Sequence, residues 1–406
     1  MSKINVYSEI GKLKTVLLHE PGEELHNLTP QKLDDLLFDD IPWLPLAKKE
    51  HQRFAQTFKD NGVKVVYLVD LVSEALEANK DVKEEFIKQF IKEANINSVT
   101  LSELVYELLI NIQNTRDMVL KTISGIKKKE LPNYQKRTVR DLIDSNQFAT
   151  DPMPNLYFQR DPFASLGDSI SLNSMYSVTR SRETIYGEYI FKYHPEYKNT
   201  KLLYKRDMVK SIEGGDILIL NKKTFIIGSS QRTTPVAIET LAKNVFFNSN
   251  SSFENIIVLN IPQARTFMHL DTIFTQVDVN KFTIHKGCYD ALRIIEIHKG
   301  DNKKLSVIES KEELKNVLER YIGKEVTLIP VGGDDVVSAD REQWSDGSNT
   351  IALAPGKVIA YERNDITNNI LRKNGIEVYE IPSSELSRGR GGPRCMCMPL
   401  EREDLD

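Results

Sequence analysis

Residues 217–228 read ILILNKKTFIIG, and NIIVLNIP follows at 255–262, after a stretch of helical character at 235–245. The two β-rich runs around Asn221-Lys222-Lys223 predict two strands joined by a tight turn. The period of the apolar residues then becomes helical, and the last run predicts a third strand. This stretch therefore predicts one unit with the order strand, strand, helix, strand.

The same order recurs elsewhere in the chain with weak identity. The clearest copy has TIALA (350–354), KVIAY (357–361), a helical stretch at 366–373 and IEVYEIP (376–382). Three further units are predicted. One comprises SISL (169–172), MYSVT (175–179), a helix at 183–191 and KLLY (201–204), and another comprises TIFTQVD (272–278), KFTIH (281–285), a helix at 311–321 and VTLIP (326–330). The unit near the N-terminus comprises TVLLHE (15–20), a helix at 48–59 and VKVVYLV (63–69). Five ββαβ units predict an α/β fold in which the units form a ring, since repeats commonly bury their apolar faces against their neighbours.

A stretch of different character separates the first two units. Residues 72–147 are rich in Lys, Glu and Leu, and Phe86, Ile87, Phe90 and Ile91 recur at helical spacing, with a second amphipathic run at 102–112. Simple packing explains these apolar stripes. We therefore expect an inserted helical bundle at 72–147, with the five units in residues 1–71 and 148–406.

Composition narrows the class of protein. The formal net charge of the 406 residues is −4 and the basic residues are dispersed, which argues against nucleic acid as a partner. No secretory signal and no membrane-spanning run is evident, and the three cysteines do not resemble a disulfide framework. We expect a cytoplasmic protein whose thiols stay reduced and that does not bind membranes.

Reactive residues precede the first strand of several units. Asp161 lies in FQRDP (158–162), Glu213 and Asp216 in EGGD (213–216), and His269 and Asp271 in HLD (269–271), while RGRGGPRC (388–395) follows the last unit and ends in Cys395. In a ring of units, equivalent positions converge on the axis. The pattern therefore predicts one site that combines a cysteine, a histidine and three or more carboxylates.

Each of these residues has an ordinary structural explanation when taken alone. Asp161 before a proline is typical of a turn, His269 of a core histidine with satisfied hydrogen bonds, and Cys395 of an inert buried thiol. Cys288 receives only that last interpretation. The hypothesis of a site depends on the whole set at equivalent places in a repeat.

With these motifs, the chain resembles the arginine deiminase family of guanidino-group-modifying enzymes. The resemblance extends from SEIG (8–11) and HEPG (19–22) through FQRDP, EGGD, MHLD (268–271) and RGRGGPRCM (388–396). It implies a five-bladed, pseudo-symmetric α/β propeller with a helical bundle inserted in the first blade. It also implies hydrolysis of free L-arginine to L-citrulline and ammonia, without a metal or organic cofactor.

The resemblance also implies residue roles. Cys395 would be the nucleophile, His269 the general acid and base, and Glu213 a residue that holds the guanidinium and helps to transfer protons. Asp161 and Asp271 would bind the guanidinium, and the other substrate contacts would come from Asn155, Phe158, Arg180, Asp216, Arg232 and, on a mobile loop, Arg390. Cys397 departs from the family, where Ser or Thr is expected.

The residue types suit this chemistry, although alternatives remain open. Paired carboxylates bind guanidinium donors by charge-assisted hydrogen bonds, a thiolate is a strong nucleophile, and imidazole transfers protons near neutral pH. The alternatives are an amidinotransferase, a hydrolase of methylated arginine, a non-catalytic five-fold scaffold that binds a macromolecule, and a metal hydrolase. The seven histidines show no metal-ligand spacing, and one short RGG-like segment is thin support for RNA binding. By analogy we expect a homo-oligomer.

Overall fold

The structure is a computed structural model that describes residues 3–79, 81–96, 98–135, 139–143, 146–289 and 291–405. The strands are, in chain order, β1 (Leu13–Leu18), β2 (Lys64–Tyr67), β3 (Ile126–Lys127), β4 (Phe148–Thr150), β5 (Phe163–Leu166), β6 (Ser169–Leu172), β7 (Lys201–Tyr204), β8 (Ile217–Asn221), β9 (Thr224–Ser229), β10 (Asn255–Asn260), β11 (Phe274–Asp278), β12 (Lys281–Ile284), β13 (Arg293–Lys299), β14 (Leu305–Glu309), β15 (Thr327–Pro330), β16 (Ile351–Ala354), β17 (Lys357–Tyr361), β18 (Glu377–Ile381) and β19 (Met398–Arg402). The helices are α1 (Glu23–His26), α2 (Leu44–Asp60), α3 (Leu68–Glu77), α4 (Val82–Glu93), α5 (Val99–Ile110), α6 (Thr115–Ser124), α7 (Val139–Ile143), α8 (Val178–Ser181), α9 (Thr184–Tyr193), α10 (Pro235–Phe247), α11 (Lys286–Tyr289), α12 (Leu314–Ile322), α13 (Val336–Trp344) and α14 (Asp365–Lys373).

Five sheets share one internal pattern, an antiparallel pair followed by a strand parallel to the second member. The sheets are β19-β1-β2, β5-β6-β7, β8-β9-β10, β11-β12-β15 and β16-β17-β18. A helix connects the parallel strands in each unit, as a parallel crossover requires. The chain therefore has a mixed α/β fold, and within the described residues no sheet closes into a barrel.

The unit that begins at residue 217 forms as its sequence predicts. Asn221 pairs with Thr224 across the turn, and β10 runs parallel to β9 with Ile257 opposite Ile226. Thr234 caps α10 by accepting a hydrogen bond from the Ala237 amide, and proline takes the first helical position. Both strands of the hairpin are almost fully buried, which explains their continuous apolar runs.

The first sheet obtains its third strand from the other end of the chain. The sequence offered two strands near the N-terminus, and β19 pairs antiparallel with β1, so that Leu13 lies opposite Arg402. Lys64 to Tyr67 form the parallel partner β2. The last strand of the described chain therefore completes the first unit.

The strands predicted for the second unit were partly wrong. FASL (163–166) and SISL (169–172) form the hairpin, whereas MYSVT (175–179) leads into α8. The cause is the turn at Gly167, whose φ of 63° lets the chain reverse between Leu166 and Ser169. The antiparallel hairpin of this unit therefore comprises FASL and SISL and not, as the apolar pattern suggested, SISL and MYSVT.

Two helices begin earlier than predicted. α3 begins at Leu68, inside the segment predicted as a strand, and α5 begins at Val99 with Ser98 as its cap instead of near residue 102. The short strands β3 and β4 pair with each other. A hairpin of β13 and β14, which the sequence did not indicate, extends the sheet of β8, β9 and β10. Among the described helices, none has the length and apolar character needed to cross a bilayer.

Candidate active site

A pocket of about 280 Å³ lies where the segments that precede the first strands of several units meet. Its walls include Asn155, Phe158, Asp161, Tyr176, Arg180, Arg232, His269, Gly389, Arg390 and Cys395. Residues far apart in the chain thus share one cavity. Asp271 lies directly behind this wall, with one carboxylate oxygen 3.8 Å from Cys395 Sγ.

Glu213 and His269 form a buried ion pair. Each stands immediately before a short 3₁₀ turn, at 214–216 and 270–272. His269 Nε2 lies 2.7 Å from Glu213 Oε2, and its Nδ1 lies 3.9 Å from Asp161 Oδ1. Burial opposes the charge on the imidazole, but Asp161 and Glu213 outweigh it and raise the pKa of His269 to about 9. Burial likewise opposes the carboxylate, while Arg232 and His269 lower the pKa of Glu213 to about 2. His269 is therefore an imidazolium at neutral pH.

The two glycines of EGGD permit this close approach. A Cβ on Gly215 would lie 2.7 Å from His269 Cγ, and a Cβ on Gly214 would lie 2.0 Å from the carbonyl oxygen of Arg160. Any side chain at these positions would push the histidine or the Asp161 segment out of place. The motif thus brings the backbone against the functional side chains.

Asp161 and Asp271 each have one oxygen bonded to an arginine and one oxygen without a partner. Asp161 Oδ2 accepts a hydrogen bond from Arg180 Nη1, and Asp271 Oδ2 accepts one from Arg394 Nη1, both at 2.8 Å. Oδ1 of each aspartate is buried and has no hydrogen-bond partner among the residues that the structure describes. Buried carboxylate oxygens are normally satisfied, so this pair marks a place that suits a donor-rich cation.

Cys395 is held by its backbone on both sides. Its amide donates to Asn349 Oδ1 at 2.9 Å, and its carbonyl oxygen accepts from the Arg160 amide at 3.0 Å. Burial, together with the negative charges of Asp271 and Asp161, raises the pKa of the Cys395 thiol well above its ordinary value. A bound cation would neutralise these charges and so favour the thiolate.

Arg180 and Arg232 line the same pocket but have different surroundings. Arg180 is buried and bonded to Glu183 at 2.9–3.1 Å as well as to Asp161. Arg232 Nη1 lies 3.7 Å from Glu213 Oε2. Within the described part of the chain, neither Nε nor Nη1 of Arg232 has a hydrogen-bond partner. Tyr176 lies beneath it, 5.6 Å from ring centroid to guanidinium carbon. Arg232 is the arginine with donors available to a ligand.

The remaining predicted contacts also reach the pocket. Asn155 is buried and donates to the carbonyl oxygen of Leu36 at 2.6 Å. The Phe158 ring packs on Tyr157 at 4.0 Å between centroids. Arg390 has a left-handed backbone at φ 58°, and its guanidinium lies 3.3 Å from the centroid of the Trp344 ring. The pocket wall therefore has an aromatic side and a cationic side.

Asp216 does not line the pocket, contrary to the expectation of a substrate contact. Both of its oxygens are used within the protein, since Oδ1 accepts from the Leu270 amide at 2.8 Å and Oδ2 from Ser230 Oγ at 2.7 Å. Burial raises the pKa of Asp216 to about 6. Its contacts tie the turn after His269 to the strand of the neighbouring unit. Asp216 therefore stabilises the backbone turn next to His269.

Several residues of the site were missed by sequence reasoning. Arg394 is fully buried and bonds Asp271 on one side and Glu9 on the other, with the Glu9 contacts at 3.2 Å. Burial opposes the charge of Glu9, yet Arg394 lowers the pKa of that carboxyl to about 2. Arg394 and Glu9 lie within recognised motifs, which was the available signal. Asn349 and Glu183 carried none, because their partners are set only by the tertiary packing.

A metal ion is a chemical alternative at this place. Asp161, Glu213 and His269 each offer a ligand atom, and these atoms lie within 4.8 Å of one another. However, Arg180 and Arg232 already contact the two carboxylates, at 2.8 Å and 3.7 Å. At the same distance, the two guanidinium groups repel a divalent cation about twice as strongly as a singly charged organic cation, so the cluster fits an organic cation better.

Comparison with known proteins supplies the context of this geometry. A family model described as Arginine deiminase matches residues 34–402. The chain is 52% identical over 409 residues to a Treponema denticola protein named Arginine deiminase, with all of both chains covered. It is 50% identical to a Clostridium perfringens protein of the same name, covering 99% of this chain and 98% of that one.

Solved structures with the same fold are more distant. An amidinotransferase of saxitoxin biosynthesis from Microseira wollei has a TM-score of 0.57 and 14% identity, covering 99% of this chain and 98% of that one. A dimethylarginine dimethylaminohydrolase, as an adduct with S-methyl-L-thiocitrulline, has a TM-score of 0.50 and 14% identity, covering 95% and 99%. At this identity the likeness concerns the fold alone.

Proposed function

The chain belongs to the arginine deiminase family, and from this membership we propose that its pocket binds free L-arginine and hydrolyses the guanidino group. The family converts arginine to citrulline, so the chain is a hydrolase of guanidino carbon–nitrogen bonds. The products are L-citrulline and ammonia. The residue roles below are proposals.

The observation that carries the proposal is the pair of unpartnered buried oxygens on Asp161 and Asp271. They lie beside a thiol and an imidazolium, which are the groups that attack on a guanidinium carbon requires. A bound guanidinium would give each oxygen a charge-assisted donor. Substrate binding thereby satisfies two carboxylates that are otherwise costly to bury.

Cys395 is the proposed nucleophile. In the free protein, the negative charges of Asp271 and Asp161 favour the protonated thiol. A bound guanidinium cation offsets these charges, so the thiol pKa falls when the substrate is in place for attack. The thiol then releases its proton to solvent while His269 stays protonated, and the thiolate sulfur forms a bond to the guanidinium carbon. A tetrahedral intermediate results.

His269 is the proposed general acid and then general base. As an imidazolium it protonates the departing amino group, so that ammonia leaves and a thiouronium remains on Cys395. A water molecule gives its proton back to His269 and adds to the same carbon. The carbon–sulfur bond then breaks and its electron pair returns to sulfur. The hydroxyl group on the carbon loses its proton as the carbonyl of citrulline forms, and proton uptake by the thiolate regenerates the Cys395 thiol. Glu213 keeps the imidazole oriented for both steps.

The arginines of the pocket wall select a free amino acid. Arg232 offers Nε and Nη1 to an α-carboxylate, while Arg180, Asn155 and Arg390 complete the wall. An arginine within a protein has no α-carboxylate to pair with these cations, so the free amino acid is the better ligand. Phe158 packs beside the alkyl part of the substrate.

The direct test is to incubate the purified, reduced and chelator-treated protein with L-arginine and to measure citrulline and ammonia. Equal amounts of both would support the metal-free hydrolysis. A second reaction with added glycine as an amine acceptor should give the same citrulline yield. Transfer of the amidino group to glycine would favour an amidinotransferase instead, and no reaction of a folded, reduced protein would overturn the proposal.

We also propose that the five sheets form a closed five-bladed propeller, with the bundle predicted at 72–147 as an insertion in the ring of residues 1–71 and 148–406. Hydrogen bonds between successive units support this arrangement. They join Ser165 to Pro399 at 2.7 Å, Gly214 to Asp161 at 3.3 Å, Leu270 to Asp216 at 2.8 Å, Thr283 to Ser348 at 2.8 Å, and Arg402 to Ala352 at 2.9 Å.

The expectations of a cytoplasmic location and a homo-oligomer remain proposals. All three cysteines are free and buried, which suits a reducing compartment. Sedimentation of the purified protein would decide the oligomeric state. A monomer at micromolar concentration would contradict the second expectation.

A further inference from the structure

A buried carboxylate outside the pocket holds the segment that supplies part of the pocket wall. Residues 384–394, here the pocket loop, supply Gly389 and Arg390 to the wall and lead into Cys395. Glu50 lies on the buried face of α2 and is 2% exposed. It does not line the pocket, and no step of the proposed reaction uses it.

The Glu50 carboxylate accepts three hydrogen bonds from the start of the pocket loop. Its Oε1 accepts from Ser384 Oγ at 2.7 Å, and its Oε2 accepts from the amides of Glu385 and Leu386, both at 3.0 Å. Two consecutive backbone amides aimed at one carboxylate oxygen fix both the position and the direction of the chain. Few side chains other than a carboxylate could satisfy this set of donors.

The loop is fixed again beyond this point. The Leu386 carbonyl oxygen accepts from Tyr157 Oη at 2.8 Å, beside Phe158 of the pocket wall. At the far end, the Gly391 carbonyl oxygen accepts from Tyr361 Oη at 2.8 Å. Arg390 lies between these two anchors in a left-handed conformation, φ 58°. The placement of its side chain therefore depends on both ends being held.

We propose that Glu50 is a positioning residue for the reaction, because it fixes the start of the pocket loop and so sets where Arg390 and Cys395 stand. The inference rests on the proposed function for its kinetic part. Loss of the carboxylate leaves two buried amides without acceptors, and the loop start shifts. Misplacement by about 1 Å is enough to lower catalytic efficiency on the order of a hundredfold.

The fold contains a matched control. Glu342 on α13 is 5% exposed and makes the same kind of contacts, accepting from the amides of Ile366 and Thr367 at 2.9 and 2.7 Å and from Thr367 Oγ1 at 2.5 Å. These donors belong to the start of α14, which does not line the pocket. Glu50 and Glu342 thus accept the same kinds of hydrogen bond, but Glu50 binds the pocket loop and Glu342 binds the start of α14.

The experiment compares Glu50→Ala and Glu342→Ala in the full chain, with KM for L-arginine, kcat, and the rate of Cys395 alkylation by iodoacetamide, mapped by mass spectrometry. We expect both variants to unfold more easily. Glu50→Ala should raise KM about tenfold and speed alkylation of Cys395 severalfold, whereas Glu342→Ala should leave both within about twofold of wild type. Wild-type values in Glu50→Ala, or equal changes in Glu342→Ala, would overturn the proposal.

A milder variant keeps the test open if Glu50→Ala does not fold. Ser384 is exposed, and Ser384→Ala removes one of the three bonds, so KM should rise about two- to threefold. Unchanged KM and alkylation in that variant would then count against Glu50. The alkylation rate does not require turnover, so it tests the positioning role even if wild-type protein releases no citrulline.

Discussion

Arg180 Nη1 lies 2.8 Å from Asp161 Oδ2, so an arginine expected to receive the substrate's carboxylate is bonded to an aspartate expected to bind its guanidinium. Glu183 binds the rest of the Arg180 guanidinium. These contacts turn Asp161 so that its other oxygen lies unpartnered. Arg180 therefore holds Asp161 in place, and Arg232 offers open donors in the same pocket.

The two arginines should respond differently to conservative substitution. Arg232→Lys loses the forked contact with the α-carboxylate, so KM should rise about 10- to 100-fold with little change in kcat. Arg180→Lys frees Asp161 to move, so kcat itself should fall. Steady-state kinetics with L-arginine separates the two patterns, and identical effects on KM alone would contradict the assignment.

Replacement of the nucleophile should separate binding from turnover. Cys395→Ser should lose activity by about a thousandfold or more, because a hydroxyl is a far weaker nucleophile than a thiolate, yet it should still bind L-arginine. The matched control is Cys397→Ser, since Cys397 Sγ faces the Pro393 carbonyl oxygen at 3.3 Å and does not line the pocket. Calorimetry and citrulline release measure the two properties. Activity retained in the first variant would remove Cys395 from its role.

The pH profile should report the imidazolium. Since the pKa of His269 is raised to about 9, the acid form is present at lower pH and disappears as pH rises through that value. We expect kcat/KM to fall above about pH 9. Glu213→Gln removes one of the charges that raise this pKa, so the alkaline limb should move toward the ordinary value near 6.5.

The control for this profile is Asp340→Asn. That aspartate faces His285 at 3.6 Å and should leave the limb in place. An alkaline limb that does not move in Glu213→Gln would exclude His269 as the group responsible.

His51 should make the protein sensitive to acid. Its ring is fully buried, and no described residue forms a hydrogen bond with either ring nitrogen. Burial, with the nearby His19, lowers the pKa of His51 to about 3. In the unfolded chain, the His51 imidazole takes up a proton near pH 6.5, whereas in the folded protein it does so only near pH 3. The contribution of neutral His51 to the free energy of unfolding is therefore fully present above pH 6.5 and is lost as the pH falls toward 3. The loss should approach about 1.4 kcal/mol per pH unit.

His51→Leu should flatten this dependence. Urea unfolding at pH 7 and pH 5 measures it, with the partly exposed His298 as the control in His298→Gln. If the free energy of unfolding of His51→Leu still falls as steeply as that of wild type, another group controls the acid response.

Sequence patterns predicted most of the units because local alternation and turn residues decide a hairpin such as β8 and β9. They failed where the apolar pattern did not identify the correct partner strand. SISL pairs with FASL because Gly167 turns the chain, and the apolar pattern of MYSVT was equally good in isolation. In the site, motif residues such as His269 were identifiable. Asn349, Glu183 and Glu50 were not, since a hydrogen bond across the fold leaves no periodic trace in the sequence.

The pairing of β19 with β1 has a consequence for how the molecule is made. β1 leaves the ribosome well before β19, the strand that covers its open edge. Cys395 lies only three residues before β19. The thiol therefore reaches its place when β19 docks, which is a non-local and hence slow event. A nascent chain that has not reached β19 carries an exposed strand edge and has no docked nucleophile.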